Sequence, residues 1–373
     1  MPCLCTRVGS DISACPKCGT DLKALERGDM DKRSDSKNTL GNSAASYLRR
    51  LGLEVNSETE MARSLDISSE MKVTASKRRF LGPGNASSNA SPQKGSSSYP
   101  RYVTPDFKPF DPLELARETE EIVCRGRSRK YTNFYSTKVY GGIATGYACG
   151  CCLRCVFCWV DWSRDFPESN GRFYSPEEVF STLGETARKF KVKKLRVSGA
   201  EPTLGREHLL GLLELVEASE FDVFILETNG ILFGSDKGYV EKISKFKKPH
   251  VRVSLKAGTP EAFTRKTGAK AESFELPFKA IRNLLDYGAS FHVAAMSLDP
   301  RIMKADERRS LVERIAEIDP RLLTSLEEEV IDPYKATLAR LRYAGIELEW
   351  PLRRVYAPIR SIQRGSQRTQ SAF

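Results

Sequence analysis

No run of about 18 apolar residues occurs in this sequence, which excludes a membrane-spanning helix. The N-terminus also lacks the charged-then-apolar layout of a secretion signal. Cysteine is missing from everything after Cys158, although the 373 residues include ten of them. They gather as Cys3, Cys5, Cys15 and Cys18, and as Cys149, Cys151, Cys152, Cys155 and Cys158, with Cys124 between. A disulfide framework would staple distant parts of a fold, so tight clusters of this kind point instead to metal sites in a reducing compartment. These absences predict a soluble, cytoplasmic protein with no membrane partner. The Asn-Ala-Ser sequons at Asn85 and Asn89 then carry no function.

Hydrophobic residues make up 40% of the chain, enough for a core, while the negative mean hydropathy places part of the chain outside it. The net charge of +11 would suit an acidic partner, nucleic acid included. Its location favours a solvated surface instead. Lys189, Lys191, Lys193 and Lys194 precede one predicted strand, and Lys245, Lys247 and Lys248 precede another. Such runs sit at the N-terminal strand ends, the face opposite a barrel's active site. Further basic charge lies in the tail, at Arg353, Arg354, Arg360, Arg364 and Arg368.

Four segments follow from the order of the chain. Residues 1–23 hold Cys3 and Cys5, then Cys15–Pro16–Lys17–Cys18–Gly19, a turn whose Pro and Gly aim both sulfurs at one metal. A ribbon-like module with zinc on Cys3, Cys5, Cys15 and Cys18 is expected, with iron or a second cluster as alternatives. Four thiolates leave no open position, so its role is structural or partner-binding. Residues 24–109 are polar and Ser-rich, a largely disordered linker with two short helices near Ala45–Leu51 and Glu58–Leu65. Residues 110–352 form the main domain, and 353–373 a basic flexible tail.

The main domain opens with a predicted helix at Pro112–Val123, ended by Cys124 as a core thiol. From Tyr140 onward strand and helix alternate, which implies parallel strands with right-handed crossovers. Strands are expected near Ala144, Leu195–Ser198, Val223–Glu227, Val251–Leu255, His292–Met296 and Ser325–Val330. Helices are expected near Glu177–Phe190, Arg206–Ala218, Tyr239–Phe246, Phe278–Tyr287, Glu307–Ile318 and Tyr334–Tyr343. A last extended piece, Ile346–Trp350, would close the edge. Six β/α units are two short of a complete barrel, so the fold class is α/β, a partial (β/α)6 barrel open on one side.

The chain is organised around Cys151–Cys152–Leu153–Arg154–Cys155–Val156–Phe157–Cys158, three thiols at C-x3-C-x2-C spacing just after an apolar, Gly-interrupted run. Three thiolates can hold three irons of a [4Fe–4S] cube and leave the fourth open to a ligand. A structural zinc or an electron-carrying cluster is the alternative. Cys152–Cys155–Cys158 is also evenly spaced, so the register has to be chosen. The longer x3 step gives the chain room to pass beneath a cube, and neighbours in an extended loop project in opposite directions. Cys151, Cys155 and Cys158 are therefore expected as ligands, with Cys152 facing away and Cys149 lower in the barrel.

This spacing, with an aromatic before the last Cys, resembles the signature of the radical S-adenosylmethionine (SAM) superfamily. The resemblance implies a partial barrel whose open iron chelates SAM, and a 5′-deoxyadenosyl radical that abstracts hydrogen from a substrate. Its further motifs fall one per strand end. Ser198–Gly199–Ala200–Glu201–Pro202 resembles the family's Gly-Gly-Glu-Pro motif, with Ala200 for the second Gly. Small Gly199 and Ala200 would let carbonyls approach the SAM ammonium, and Glu201 would add a charge-assisted bond. Thr228 and Asn229 would reach the carboxylate or ribose. Ser254 and Lys256 share one strand face and resemble the Asp-x-Lys motif of the pyruvate formate-lyase activating enzymes, as does Thr264–Arg265–Lys266–Thr267–Gly268. Ser254 stands where that motif has Asp. His292 would face the cofactor, or serve as a core histidine. Phe157 and Trp159 would pack on the adenine or shield the cluster. With no cysteine after Cys158, no C-terminal auxiliary cluster of the peptide-modifying or molybdopterin-forming kind is expected.

The resemblance thus implies an enzyme that uses one [4Fe–4S] cluster and SAM on an unidentified substrate, a protein partner in the activating-enzyme manner. Its electron donor would be a ferredoxin or flavodoxin. The alternatives are modification of tRNA or another nucleic acid, and a non-catalytic iron–sulfur and zinc-ribbon interaction protein.

Overall fold

The computed structural model describes residues 99–359. The expected zinc ligands Cys3, Cys5, Cys15 and Cys18, the two linker helices and the tail beyond residue 359 lie outside the described residues. Helix α1 (Pro112–Val123) leads into strands β1 (Cys124–Arg125), β2 (Ser128–Thr137), β3 (Ile143–Ala148) and β4 (Arg172–Tyr174). Next come α2 (Pro176–Lys189), β5 (Lys194–Gly199), α3 (Arg206–Glu217) and β6 (Val223–Thr228). Helices α4 (Ile231–Ser235) and α5 (Lys237–Ile243) precede β7 (Pro249–Leu255), and α6 (Pro260–Thr267) and α7 (Glu275–Asp286) precede β8 (Phe291–Ala295). The last elements among the described residues are α8 (Ala305–Ile318), β9 (Glu327–Glu328) and α9 (Lys335–Tyr343).

Local chemistry sets the helix starts. Asp111 accepts from Leu113 N at 2.8 Å ahead of Pro112, and Ser175 and Glu178 form a reciprocal capping box ahead of α2. Thr259 caps α6, which Gly268 ends at φ 77°. Each helix then covers the sheet with an apolar face: Val179 and Leu183 from α2, Leu209, Leu212 and Leu213 from α3, Phe278, Ile281 and Leu284 from α7 are buried in one core.

Strands β3, β5, β6, β7, β8 and β9 pair in parallel in that order, the six-unit partial barrel expected from the alternation. Two features differ from expectation. An antiparallel flank extends the sheet, with β2 pairing β3, β1 and β4. Its strand β2 (Tyr131, Phe134 and Tyr135 among polar residues) carries the β-branched and aromatic content of a strand but no clean alternation. At the other edge, Ile346–Trp350 forms no strand, and β9 is the last member of the sheet among the described residues. Residues on either side of 110–352 pack onto the domain: Val103 is 5% exposed in the core and Ile359 donates its N–H to Glu328 at 2.8 Å. No helix among the described residues is long and apolar enough to cross a membrane.

Candidate active site

The cysteine loop leaves β3 through Gly150, whose φ is 78°. A Cβ there would meet Thr119 and Val123 of α1 at 2.5 and 2.9 Å, so only glycine fits. The loop is then stitched down on two sides. Glu201 N donates to the Gly150 carbonyl at 3.0 Å, while Arg154 N and Val156 N donate to the carbonyls of Thr267 and Lys266 at 2.8 and 2.9 Å. The end of α6, singled out in sequence as Thr264–Gly268, is thus the rail along which the loop runs. Lys266 is itself held by Glu307 at 2.6 Å.

Cys151 and Cys158 are half-buried, Cys155 is buried and Cys152 is sealed off completely. One expectation fails here. Cys151 and Cys152 do not splay apart: Asn229 Nδ2 donates to both sulfurs, at 3.7 and 3.3 Å. The chain bends at Cys152 instead of running extended, which removes the alternation that the expectation assumed. What separates the two is first the hydrogen bond between them. That bond, and then burial, pushes the Cys152 thiol well up, whereas the same bond brings Cys151 down to about 7 against burial, with Leu153 N–H and Arg154 helping. Burial pushes Cys155 up to about 12, with Lys256 pulling down against Cys158 and Cys151. Cys149 points back to the Asn170 carbonyl.

The chemistry of this donor set fits a cluster. Three thiols stand on one stitched-down loop, and at Cys155 the charge of Lys256 works against the burial that pushes the thiol up. Among the described residues no three Cys, His, Asp or Glu groups converge on the position of a single ion; ligands of a four-iron cube each take a different iron.

The β5 exit is shaped by Gly199 at φ 95°, where a Cβ would meet the Ala148 carbonyl at 3.0 Å; Ala200 has no positive φ and so tolerates its methyl. Glu201 does not present a free carboxylate. Its Oε1 accepts from Thr203 N and Oγ1 at 3.2 and 2.7 Å and from Thr228 Oγ1 at 2.7 Å, and its Oε2 accepts from Asn229 N at 2.8 Å. Glu201 and Thr228 therefore form a latch between the β5 and β6 exits that aims Asn229 at the cysteine sulfurs. Besides the cofactor contact expected of it, Glu201 thus has a positioning role. Phe157 lies in the apolar core at 5% exposure, and Trp159 stands outside at 43%, its ring 6.0 Å from that of Tyr147.

Ser254 and Lys256 do share a face: Lys256 Nζ donates to Ser254 Oγ at 2.6 Å. His292 does not join them. It lies opposite Arg252, three residues before the last residue of β8, roughly 10 Å down the strand. Both its ring nitrogens are taken, by His250 at 2.8 Å and Glu327 at 3.1 Å. His292 is thus part of the barrel interior, not of the cysteine end.

That interior is polar, and sequence reasoning missed it. Glu227 accepts from Tyr140 OH at 2.7 Å, Arg196 at 3.0 Å and Ser198 at 2.8 Å. Burial would raise its carboxyl, but Arg196, Arg252 and these donors bring it down to about 2. Arg252 also pairs Glu327 at 2.9 Å and Glu329 at 2.6 Å. The available signal was the tripeptide Arg–Val–Ser, which occurs in β5 as Arg196–Ser198 and in β7 as Arg252–Ser254. A charge inside an otherwise apolar parallel strand has to face a polar interior.

The sequence profile described as the Radical SAM superfamily matches residues 147–302. The probable GTP 3′,8-cyclase of Methanocaldococcus jannaschii is 31% identical over 137 residues, 36% of this chain and 42% of that protein. The probable GTP 3′,8-cyclase of Saccharolobus solfataricus is 25% identical over 138 residues, 37% of this chain and 41% of that one. The chain thus spans about two fifths of the length of the curated relatives it matches. Streptococcus suis SuiB bound to S-adenosylmethionine has a TM-score of 0.40 and 16% identity, covering 59% of this chain and 44% of that one.

Proposed function

We propose that this chain, an enzyme of radical SAM type, holds a [4Fe–4S] cluster on Cys151, Cys155 and Cys158 and binds SAM over the exits of β5, β6 and β7. The observation that carries the reading is the meeting of this C-x3-C-x2-C loop with Lys256, whose charge acts on Cys155 and whose ammonium is aimed by Ser254. When bound, cluster and SAM together supply a 5′-deoxyadenosyl radical for hydrogen abstraction from carbon. The chain's own contribution is positioning. Lys256 and Ser254 offer a cation and a hydroxyl to the SAM carboxylate and ribose. Gly199 and Ala200 leave their backbone open to the ammonium, and Asn229, held by Glu201, fixes the loop.

For the substrate we take the activating-enzyme reading, a segment of a protein partner, with a ferredoxin or flavodoxin as electron donor. The unclosed edge at β9 supports a bulky substrate, and the charged interior around Arg196, Glu227 and Arg252 supports a polar one. The GTP chemistry named for the relatives is not carried over, because so little of their length is matched. The four N-terminal cysteines we read as zinc ligands, a reading that metal analysis of Cys15→Ser and Cys18→Ser proteins tests.

The experiment is anaerobic reconstitution followed by assay of 5′-deoxyadenosine with GTP, with RNA, and with cell-extract fractions. Expected are four irons per chain and SAM cleavage stimulated by a protease-sensitive fraction. Stimulation by GTP or by a ribonuclease-sensitive fraction would replace the substrate reading. A chain that takes up no iron would end the cluster reading itself.

A further inference from the structure

Three buried arginines reach the main chain of the cysteine loop, one at each proposed ligand. Arg154 Nη1 donates to the Cys151 carbonyl at 2.6 Å, Arg164 Nη1 to the Cys155 carbonyl at 2.8 Å and Arg340 Nη1 to the Cys158 carbonyl at 2.7 Å. None is more than 2% exposed. Asp165 ties two of them together, accepting from Arg164 Nε at 2.9 Å and Arg340 Nε at 3.2 Å. Arg340 also reaches the carbonyls of Val160 and Asp161. From the same helix, Thr337 Oγ1 adds a second donor to the Cys158 carbonyl at 3.2 Å. Arg129 does the same for the Cys149 carbonyl at 3.3 Å, where the loop begins.

Buried cations need compensating negative charge. Here Arg164 and Arg340 share the single carboxylate of Asp165, so these three side chains carry one net positive charge. That charge lies at the carbonyls of Cys155 and Cys158. A cluster carried on three thiolates is anionic and gains one more negative charge on reduction. Fixed, buried cations and hydrogen bonds on the ligand-bearing loop favour that reduced form.

We propose that α9 completes the cluster site of this chain: Thr337 and Arg340 position the Cys158 end of the loop, and the Arg340 charge raises the cluster's reduction potential. The proposal rests on the cluster assignment above. Helix α9 follows the matched residues 147–302, so a site whose ligands lie inside that region is completed by residues outside it. Arg340 is a positioning residue, since it touches the ligands' backbone and neither substrate nor SAM.

The test is an EPR-monitored redox titration of reconstituted full-length protein, wild type beside Arg340→Gln, Arg340→Lys and Thr337→Val, with iron content measured on each. Arg340→Gln should lower the reduced-to-oxidised ratio at a fixed potential about tenfold, equivalent to a midpoint about 59 mV more negative for one electron. Arg340→Lys keeps the charge and should stay within about threefold of wild type, and Thr337→Val should fall in the same direction by about twofold. An Arg340→Gln protein that loads four irons and titrates like wild type overturns the proposal. Should that variant fail to fold, an unshifted Thr337→Val decides against it equally. A wild type that loads no cluster instead removes the underlying assignment, so the two failures are told apart.

Discussion

The ammonium of Lys256, the residue just after β7, lies 2.6 Å from the hydroxyl of Ser254 two residues back, and its charge bears on Cys155. In the proposed site this one strand exit offers a cation to the SAM carboxylate and to a thiolate at once. Lys256→Ala should weaken SAM binding about tenfold or more, the worth of a charge-assisted hydrogen bond, with iron content unchanged. Calorimetric titration of SAM into reconstituted protein checks this, and unaltered affinity would remove Lys256 from the SAM site.

Cysteine substitution separates the loop's thiols. Alanine at Cys151, Cys155 or Cys158 should abolish cluster absorbance and SAM cleavage, whereas Cys152→Ala should retain both at near wild-type iron content. Because Asn229 touches both sulfurs, the decisive pair is Cys151→Ala beside Cys152→Ala. A coloured, active Cys151→Ala protein would transfer the ligand role to Cys152.

The Glu201 latch predicts a loss of stability as well as of loading. Four donors from Thr203, Thr228 and Asn229 converge on its two oxygens. A glutamine leaves one acceptor oxygen and turns an N–H toward donors, so Glu201→Gln should cost about 1–3 kcal/mol and lower iron uptake. Denaturant unfolding of the cluster-free protein measures the first effect. A midpoint equal to wild type would mean that the latch is not as drawn.

His208 predicts a pH slope. Its Nδ1–H donates to the Arg127 carbonyl at 2.8 Å and its Nε2 accepts from Tyr131 OH at 2.9 Å, which defines a neutral ring. Burial first, then the charges of Arg129 and Arg127, push it down to about 4, against the Arg127 bond and Glu177. The unfolded chain, with its ordinary value near 6.5, binds the proton that the folded state refuses. Stability from this group is therefore complete above pH ~6.5 and falls as pH drops toward 4, by about 3 kcal/mol at most. His208→Asn should flatten that slope relative to wild type in unfolding measured from pH 7.5 to 4. Parallel slopes would exclude His208 as the source.

Much of the architecture was legible because strand and helix carry different periods, and apolar residues such as Leu195, Val197, Val251 and Val253 mark the helix-facing side of a parallel sheet directly. The cysteine loop, the Gly199–Ala200 turn and the Ser254–Lys256 pair were legible for the same local reason: spacing of two to four residues decides which groups share a face. The flank at β2 and the absence of a strand at Ile346–Trp350 were not, since edge pairing depends on which neighbour is present and not on the segment itself. The roles of Glu201 and His292 turned on partners far along the chain, Thr228 and Asn229 for one, His250 and Glu327 for the other. The arginine contacts show the limit most plainly. Sequence alone determined that three thiols stand at C-x3-C-x2-C spacing. Only the tertiary structure brought Arg340 to the carbonyl of Cys158, because a hydrogen bond closed over 182 residues leaves no periodic trace in the residues between.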